Sequence, residues 1–191
     1  MTVAERTFLD SRTEAFVADV LGAIDRHVPV VEGFLLGSGA VEGFQPGISD
    51  IDLVVVVENA PGAERAALVQ DVAAIAPPVR DLELVVYVRG AQPPAFELNL
   101  NEGAERPNAE SFWFVLDAAV AQEQAVPVWG GRRWSEFFAP ISPEGIRKAM
   151  QESLAWAERQ APGNDFARSH AARARHYLAN GEWISKKEAE E

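Results

Sequence analysis

Apolar residues recur in short blocks along the first two thirds of the chain, and their spacing predicts the structure of each block. Runs that are apolar on both faces predict strands covered on both sides of a sheet. Apolar positions three and four apart predict amphipathic helices. The predicted strands are 30–36, 52–58, 82–88, an edge strand at 96–100 and a short extended piece at 126–129. The predicted helices are 12–27, 63–75 and 112–124, with loops at 37–49 and 104–110.

Only helical periodicity is found after about residue 139. Pro143 behind a serine is typical of the first turn of a helix, and Gly181 behind an asparagine is typical of a helix end. We therefore predict an α/β (α+β) fold: a small mixed sheet with flanking helices in residues 1–138, followed by a helical segment in residues 139–191.

The composition limits the chemistry that the chain can perform. Its 191 residues include no cysteine, which excludes disulfides, thiolate metal sites and cysteine nucleophiles. With 29 acidic and 17 basic residues the net charge is −12, a balance that serves solubility, disfavours nucleic acid and anionic membranes and favours cations. No apolar run reaches the roughly 18 residues of a membrane span, and the start lacks a signal-peptide pattern. We expect a cytoplasmic protein without a membrane or nucleic-acid partner.

Two aspartates at the start of a predicted buried strand are the clearest sign of chemistry. Asp50 and Asp52 are two residues apart on an extended backbone, so both carboxylates are expected on one face. They repel each other unless a cation lies between them, and oxygen ligands without histidine or cysteine suit Mg²⁺ or Mn²⁺. Upstream, the turn at Gly37 and Ser38 offers N–H groups and a hydroxyl to a phosphate. A nucleoside triphosphate bound with its metal would satisfy both features.

Glu83 is a third acidic residue, within the otherwise apolar strand 82–88. A carboxylate on a buried strand is costly without a charge partner. If this strand is the neighbour of the Asp52 strand, Glu83 faces the same site, where it could bind a metal or accept a proton. The alternative is that Glu83 lies on a solvated edge.

The stretch GSGAVEGFQPGISDIDLVVVV resembles the signature of the polymerase-β-like nucleotidyltransferases. More narrowly, DLELVVYV, FWFVLDAAVAQEQAVPVWGG and RARHYLANGEWISKKEA resemble segments of the aminoglycoside 3''/9-adenylyltransferases, the streptomycin and spectinomycin resistance enzymes. The resemblance covers about residues 30–191. Because the family enzymes continue for several further helices, it implies that the helical domain is incomplete here.

The resemblance implies a role for each matching residue. The nucleotide phosphates would contact Gly37, Ser38, Ser49, Arg173 and Lys186. Magnesium, as two ions, would be held by Asp50, Asp52 and Glu83, and Glu83 would also be the general base. The first turn of a capped helix, where Lys186 is expected, favours anions in any case.

The reaction implied is Mg²⁺-dependent transfer of AMP from ATP to a hydroxyl of a small cationic acceptor, such as an aminoglycoside or aminocyclitol, with release of pyrophosphate. Candidate acceptor contacts are Trp113, Trp156, Asp165 and Glu102, although Trp156 could equally be a core residue. Two alternatives stay open. One is an antitoxin-type enzyme that adenylylates a protein, and the other is a nucleotide-binding regulator without catalytic activity.

Overall fold

A computed structural model describes residues 7–41, 43–160, 164–185 and 188–189. The chain forms two compact units, each described here by itself. The first comprises Met1–Ala109 and Val120–Pro140, and the second comprises Glu110–Ala119 and Ile141–Glu191. The predicted domain boundary near residue 138 stays a prediction.

The helices and strands follow the apolar blocks of the sequence closely. The helices are α1 Ser11–His27, α2 Gly37–Ala40, α3 Arg65–Ala73, α4 Ser111–Gln124, α5 Pro143–Gln160 and α6 Asp165–Asn180. The strands are β1 Val30–Leu36, β2 Ile51–Val57, β3 Leu82–Val88, β4 Leu98–Asn101, β5 Ala104–Glu105 and β6 Val126–Trp129.

The strands form one mixed sheet in the order β5-β4-β3-β2-β1-β6. Strands β2 and β3 are parallel, and the other neighbouring pairs are antiparallel. Strand β2 lies near the centre, and its residues Val54 and Val56 are as well buried as Leu53 and Val55. A central strand covered on both sides has apolar residues on both faces, as the sequence pattern predicted. The structure confirms the predicted α/β fold with a small mixed sheet.

Helices α1 and α3 cover one face of this sheet. Side chains from α1, such as Leu21 and Ile24, share a buried core with Leu53 of β2 and Leu84 of β3. Aromatic residues cover the other face: the rings of Phe34 and Trp134 lie 5.2 Å apart, and so do those of Tyr87 and Phe138. Successive side chains of each strand point alternately to the helix-covered face and to the aromatic face. This alternation fixes the face to which each polar residue points.

Two sequence predictions need correction. The strand predicted at 96–100 is not an edge strand, because a two-residue turn at Glu102 and Gly103 folds Ala104–Glu105 back beside β4. The segment 104–110 is therefore only partly loop. Short α2 lies in the loop predicted at 37–49, immediately after β1.

The second unit is helical. Phe112 and Leu116 at the start of α4 pack against Met150 of α5 and Ala174 of α6. Gly181 adopts a left-handed conformation at the end of α6, and its N–H donates to the carbonyl of Tyr177, in agreement with the predicted helix end. Within the described residues, every helix is too short or too polar to cross a membrane.

Candidate active site

The predicted acidic residues meet where the parallel strands β2 and β3 begin. Asp52 is the direct register partner of Glu83. Partners in neighbouring strands point to the same face, so both carboxylates project from the face opposite α1 and α3. Asp50 lies two residues before Asp52, next to the same strand ends. The expectation that the Glu83 strand is the neighbour of the Asp52 strand is confirmed.

Gly37 makes room for the Asp52 carboxylate. It follows β1, whose last residue, Leu36, is the register partner of Asp52. A Cβ atom on Gly37 would overlap the Oδ2 atom of Asp52, and the Gly37 φ angle is +58°. Both features require glycine, because a side chain would be strained as well as obstructed. Gly37 therefore positions a carboxylate, a role different from the phosphate contact predicted from the sequence.

Arg80 binds Asp50, a contact that the sequence pattern did not predict. Its Nε donates to Asp50 Oδ1 at 2.7 Å, and its terminal nitrogen donates to Oδ2, so the guanidinium binds both oxygens. The backbone fixes this pairing: the Arg80 N–H donates to the Ser49 carbonyl at 3.2 Å, and the Ile51 N–H donates to the Asp81 carbonyl at 3.0 Å. The sequence does contain an indication of this contact. Ser49-Asp50 and Arg80-Asp81 directly precede β2 and β3, and a parallel pairing of these strands places the two dipeptides side by side.

Glu83 lies in an open cleft of about 480 Å³. The residues lining it are Asp50, Arg80, Asp81, Glu83, Asn101 and Glu102. Partial desolvation, and then the negative charges of Asp52 and Asp50, raise the pKa of Glu83 to about 7, while a hydrogen bond with Asn101 opposes the rise. Because the Glu83 side chain is exposed to solvent, we attribute more of the rise in its pKa to the two negative charges than to desolvation. A carboxylate with this pKa is suited to proton transfer near neutral pH.

Ser49 has a structural partner in this arrangement. Its hydroxyl oxygen accepts a hydrogen bond from the Gln45 N–H at 3.0 Å, and its own N–H donates to the Gln45 carbonyl at 2.9 Å. These bonds close the loop that leads into β2. The half-buried Ser38 lies in α2, beside Gly37. Phosphate contact by Gly37, Ser38 or Ser49 stays a prediction.

The acidic residues suit a hard divalent cation by the type of their donors. Carboxylate oxygens are the ligands that Mg²⁺ prefers, and Asp50 already binds a positive group, the Arg80 guanidinium. In the described part of the chain, no three histidine, cysteine or acidic side chains are arranged to hold an ion. Binding of a cation at Asp50 would therefore require Arg80 to move.

Two basic residues predicted to contact phosphates belong to the second unit. Arg173 is half-buried on α6, its Nε has no hydrogen-bond partner, and burial lowers its pKa. A desolvated guanidinium with an unpaired Nε is costly, and contact with an anion would lower that cost. Lys186 lies outside the described residues. Both assignments stay predictions.

The candidate acceptor contacts fall into two groups. In the second unit, Trp113 packs edge-to-face on Trp156, with ring centres 5.3 Å apart, and both lie close to Phe166. Asp165 is an exposed residue of the same unit and forms an ion pair with Arg168. In the first unit, Glu102 lines the cleft and its φ angle is +53°.

Comparison with known proteins agrees with this architecture. Neither a protein-family model nor a curated protein sequence matches the chain. Among solved structures, it is similar to a spectinomycin adenyltransferase AAD(9) from Enterococcus faecialis, determined with ATP and spectinomycin. The TM-score is 0.77 at 18% sequence identity, and the match covers 95% of this chain and 81% of that one. The chain thus shares the fold of that spectinomycin adenyltransferase.

Proposed function

We propose that the chain is a Mg²⁺-dependent nucleotidyltransferase that transfers AMP from ATP to a hydroxyl of a small cationic acceptor, with release of pyrophosphate. The observation that carries this proposal is the direct pairing of Asp52 with Glu83, beside Asp50. The fold supports it, because a solved structure with this fold is an adenyltransferase with ATP.

Each acidic residue has a proposed task. When bound at Asp50 and Asp52, magnesium supplies positive charge to the phosphate under attack. Glu83 accepts the proton of the acceptor hydroxyl, and a pKa of about 7 leaves a large fraction of it ionised at neutral pH. The protein must hold this base next to the aspartates, and the parallel register achieves that through the backbone.

The charge of the cleft supports a cationic acceptor. Beyond the three proposed catalytic carboxylates, the cleft is lined by Asp81 and Glu102, against Arg80, which binds Asp50, and Arg106, which binds Glu102 at 3.0 Å. Such a surface attracts amines and repels anions. An aminoglycoside or aminocyclitol has both the amines and the hydroxyl that the reaction needs, and the similar solved structure holds spectinomycin.

A binding and product assay tests the proposal. Thermal stability is measured with ATP and Mg²⁺, with and without spectinomycin or streptomycin, together with pyrophosphate release. We expect stabilisation by ATP with Mg²⁺, a further shift with one of the drugs, and pyrophosphate only when all three are present. The Asp52→Asn variant is the negative control.

Other results would favour the alternatives. Stabilisation by ATP without pyrophosphate release in the presence of any drug would indicate a nucleotide-binding regulator. Label from ATP appearing on a protein would indicate an enzyme of the antitoxin type. Absence of any response to ATP would contradict nucleotide binding itself.

A further inference from the structure

Arg80 is the one cation among the six residues that line the cleft, and it binds the carboxylate proposed to hold magnesium. Its Nε and one terminal nitrogen each bind an oxygen of Asp50. This two-point geometry is specific to arginine and equally suits carboxylate and phosphate groups. The side chain therefore fits two kinds of partner that both belong to the proposed reaction.

The pairing is built to be reversible. The Arg80 side chain is 67% exposed, whereas the Asp50 side chain is 16% exposed. An exposed arginine can leave its partner at little cost, because water replaces the lost contact and the side chain regains freedom. The carboxylate is held in place by the extended backbone pairing of residues 49–51 with residues 80–81. Movement is thus confined to the arginine.

The positive charge of Arg80 stabilises the neighbouring carboxylates before any ligand binds. Asp50, Asp52 and Glu83 lie together, since Asp52 is the register partner of Glu83 and Asp50 lines the same cleft as Glu83. Three neighbouring carboxylates destabilise one another unless positive charge is present. The guanidinium supplies that charge, and Asp81 and Glu83 stabilise it further. Both oxygens of Asp50 are then engaged, so that a divalent ion must compete for them.

We propose that Arg80 is an exchangeable counter-ion: it neutralises Asp50 while no metal is bound, and it transfers to a phosphate of the nucleotide when a divalent cation takes Asp50. This proposal rests on the proposed nucleotidyltransferase function. It makes Arg80 a nucleotide-binding residue that couples metal binding to nucleotide binding. Metal alone binds weakly because it must displace the guanidinium, whereas metal with nucleotide binds well because the released guanidinium has a new partner.

The test uses the full chain and the Arg80→Gln variant. Binding of Mn²⁺ alone is measured by electron paramagnetic resonance, and binding of α,β-methylene-ATP in the presence of Mn²⁺ is measured by calorimetry. Loss of the competitor should tighten Mn²⁺ binding about fivefold. Loss of a charge-assisted hydrogen bond to phosphate should weaken nucleotide binding about tenfold. Opposite changes in the two affinities are the expected signature.

Arg89→Gln is the matched control. Arg89 follows the other end of β3 and forms an exposed ion pair with Glu58 at 3.1 Å. This substitution changes the net charge by the same amount, also next to β3, but far from Asp50. It should leave both affinities within about twofold of the wild type. An effect of the changed net charge of the chain as a whole would instead shift the two variants alike.

Each contrary result is informative. Unchanged or weaker Mn²⁺ binding in Arg80→Gln would overturn the competition, and unchanged nucleotide binding would overturn the transfer to phosphate. Either one refutes the proposal while leaving the proposed function intact, provided that the wild type binds the nucleotide. If neither the wild type nor the variants bind α,β-methylene-ATP, the proposed function fails and the role of Arg80 fails with it.

Discussion

Substitution of Gly37 by alanine should damage the active site far more than it damages the fold. Gly37 has a φ angle of +58°, and a Cβ at this position would overlap the Asp52 carboxylate. The left-handed backbone costs an alanine about 1 kcal/mol of folding free energy. The overlap has a separate consequence, because the Asp52 side chain must turn away from its place beside Glu83. A displacement of about 1 Å at a catalytic group can lower the rate about 100-fold.

Gly90 provides the matched comparison. Its φ angle is +87°, and no atom lies within 4 Å of the position that a Cβ would take. Gly90→Ala should therefore lose about the same 1 kcal/mol from backbone strain without disturbing any carboxylate. Urea denaturation measures the free energy of unfolding of both variants, and pyrophosphate release measures their activity.

We expect similar unfolding free energies for the two variants, with activity lost only in Gly37→Ala. Similar activities would refute the reasoning, because they would mean that Asp52 tolerates the overlap or does not take part in the reaction. A much larger loss of stability in Gly37→Ala would show that the overlap is relieved by the backbone instead of by the side chain.

Three further predictions concern stability. Glu32 is fully buried and accepts hydrogen bonds from the N–H groups of Gly131 and Arg132. Glu32→Ala should therefore lower the free energy of unfolding, measured in urea, by about 3 kcal/mol. A loss below about 1 kcal/mol would contradict a stabilising role of these hydrogen bonds. A hydrogen bond with Asp71 raises the pKa of His27, so its stabilisation is present below pH 6.5 and disappears as the pH rises through the raised pKa. The stability difference between wild type and His27→Gln in urea titrations should therefore shrink as the pH rises above 6.5 and through the raised pKa. Burial lowers the pKa of His170 to about 4, so the unfolded chain takes up a proton below pH 6.5 before the folded one does. Stability should fall by up to roughly 3 kcal/mol between pH 6.5 and pH 4, and His170→Gln should lack this part of the slope in the same assay.

The central strands could be predicted from the sequence because they are buried on both faces. Strands β1, β2 and β3 appear as apolar runs that contain one acidic residue each, and nothing else in the chain competes with that interpretation. The spacing of Asp50 and Asp52 likewise indicated one face of an extended segment. The acid in the third strand, Glu83, was identified because its apolar neighbours made it conspicuous.

Long-range pairing could not be predicted with the same certainty. The role of Arg80 depends on the parallel alignment of two strand starts that are 30 residues apart, and no local pattern contains that register. Asn101 depends in the same way on the antiparallel pairing of β4 with β3. The strand Ala104–Glu105 is too short for periodicity to reveal, and Glu102 in its turn has a positive φ that usually favours glycine or asparagine.

The separation of nucleotide binding from proton transfer in Glu83→Gln tests the central claim most directly. The substitution keeps the size of the side chain and removes its ability to accept a proton, while Glu58→Gln removes one exposed carboxylate beyond the other end of β2 as a control. Calorimetry with ATP and Mg²⁺ and a single-turnover measurement of AMP transfer are made on both variants. For Glu83→Gln we predict nearly unchanged affinity and a rate lower by about 10² to 10⁴. An unchanged rate, or an equal loss of affinity and rate, would contradict the assignment of Glu83 as the base.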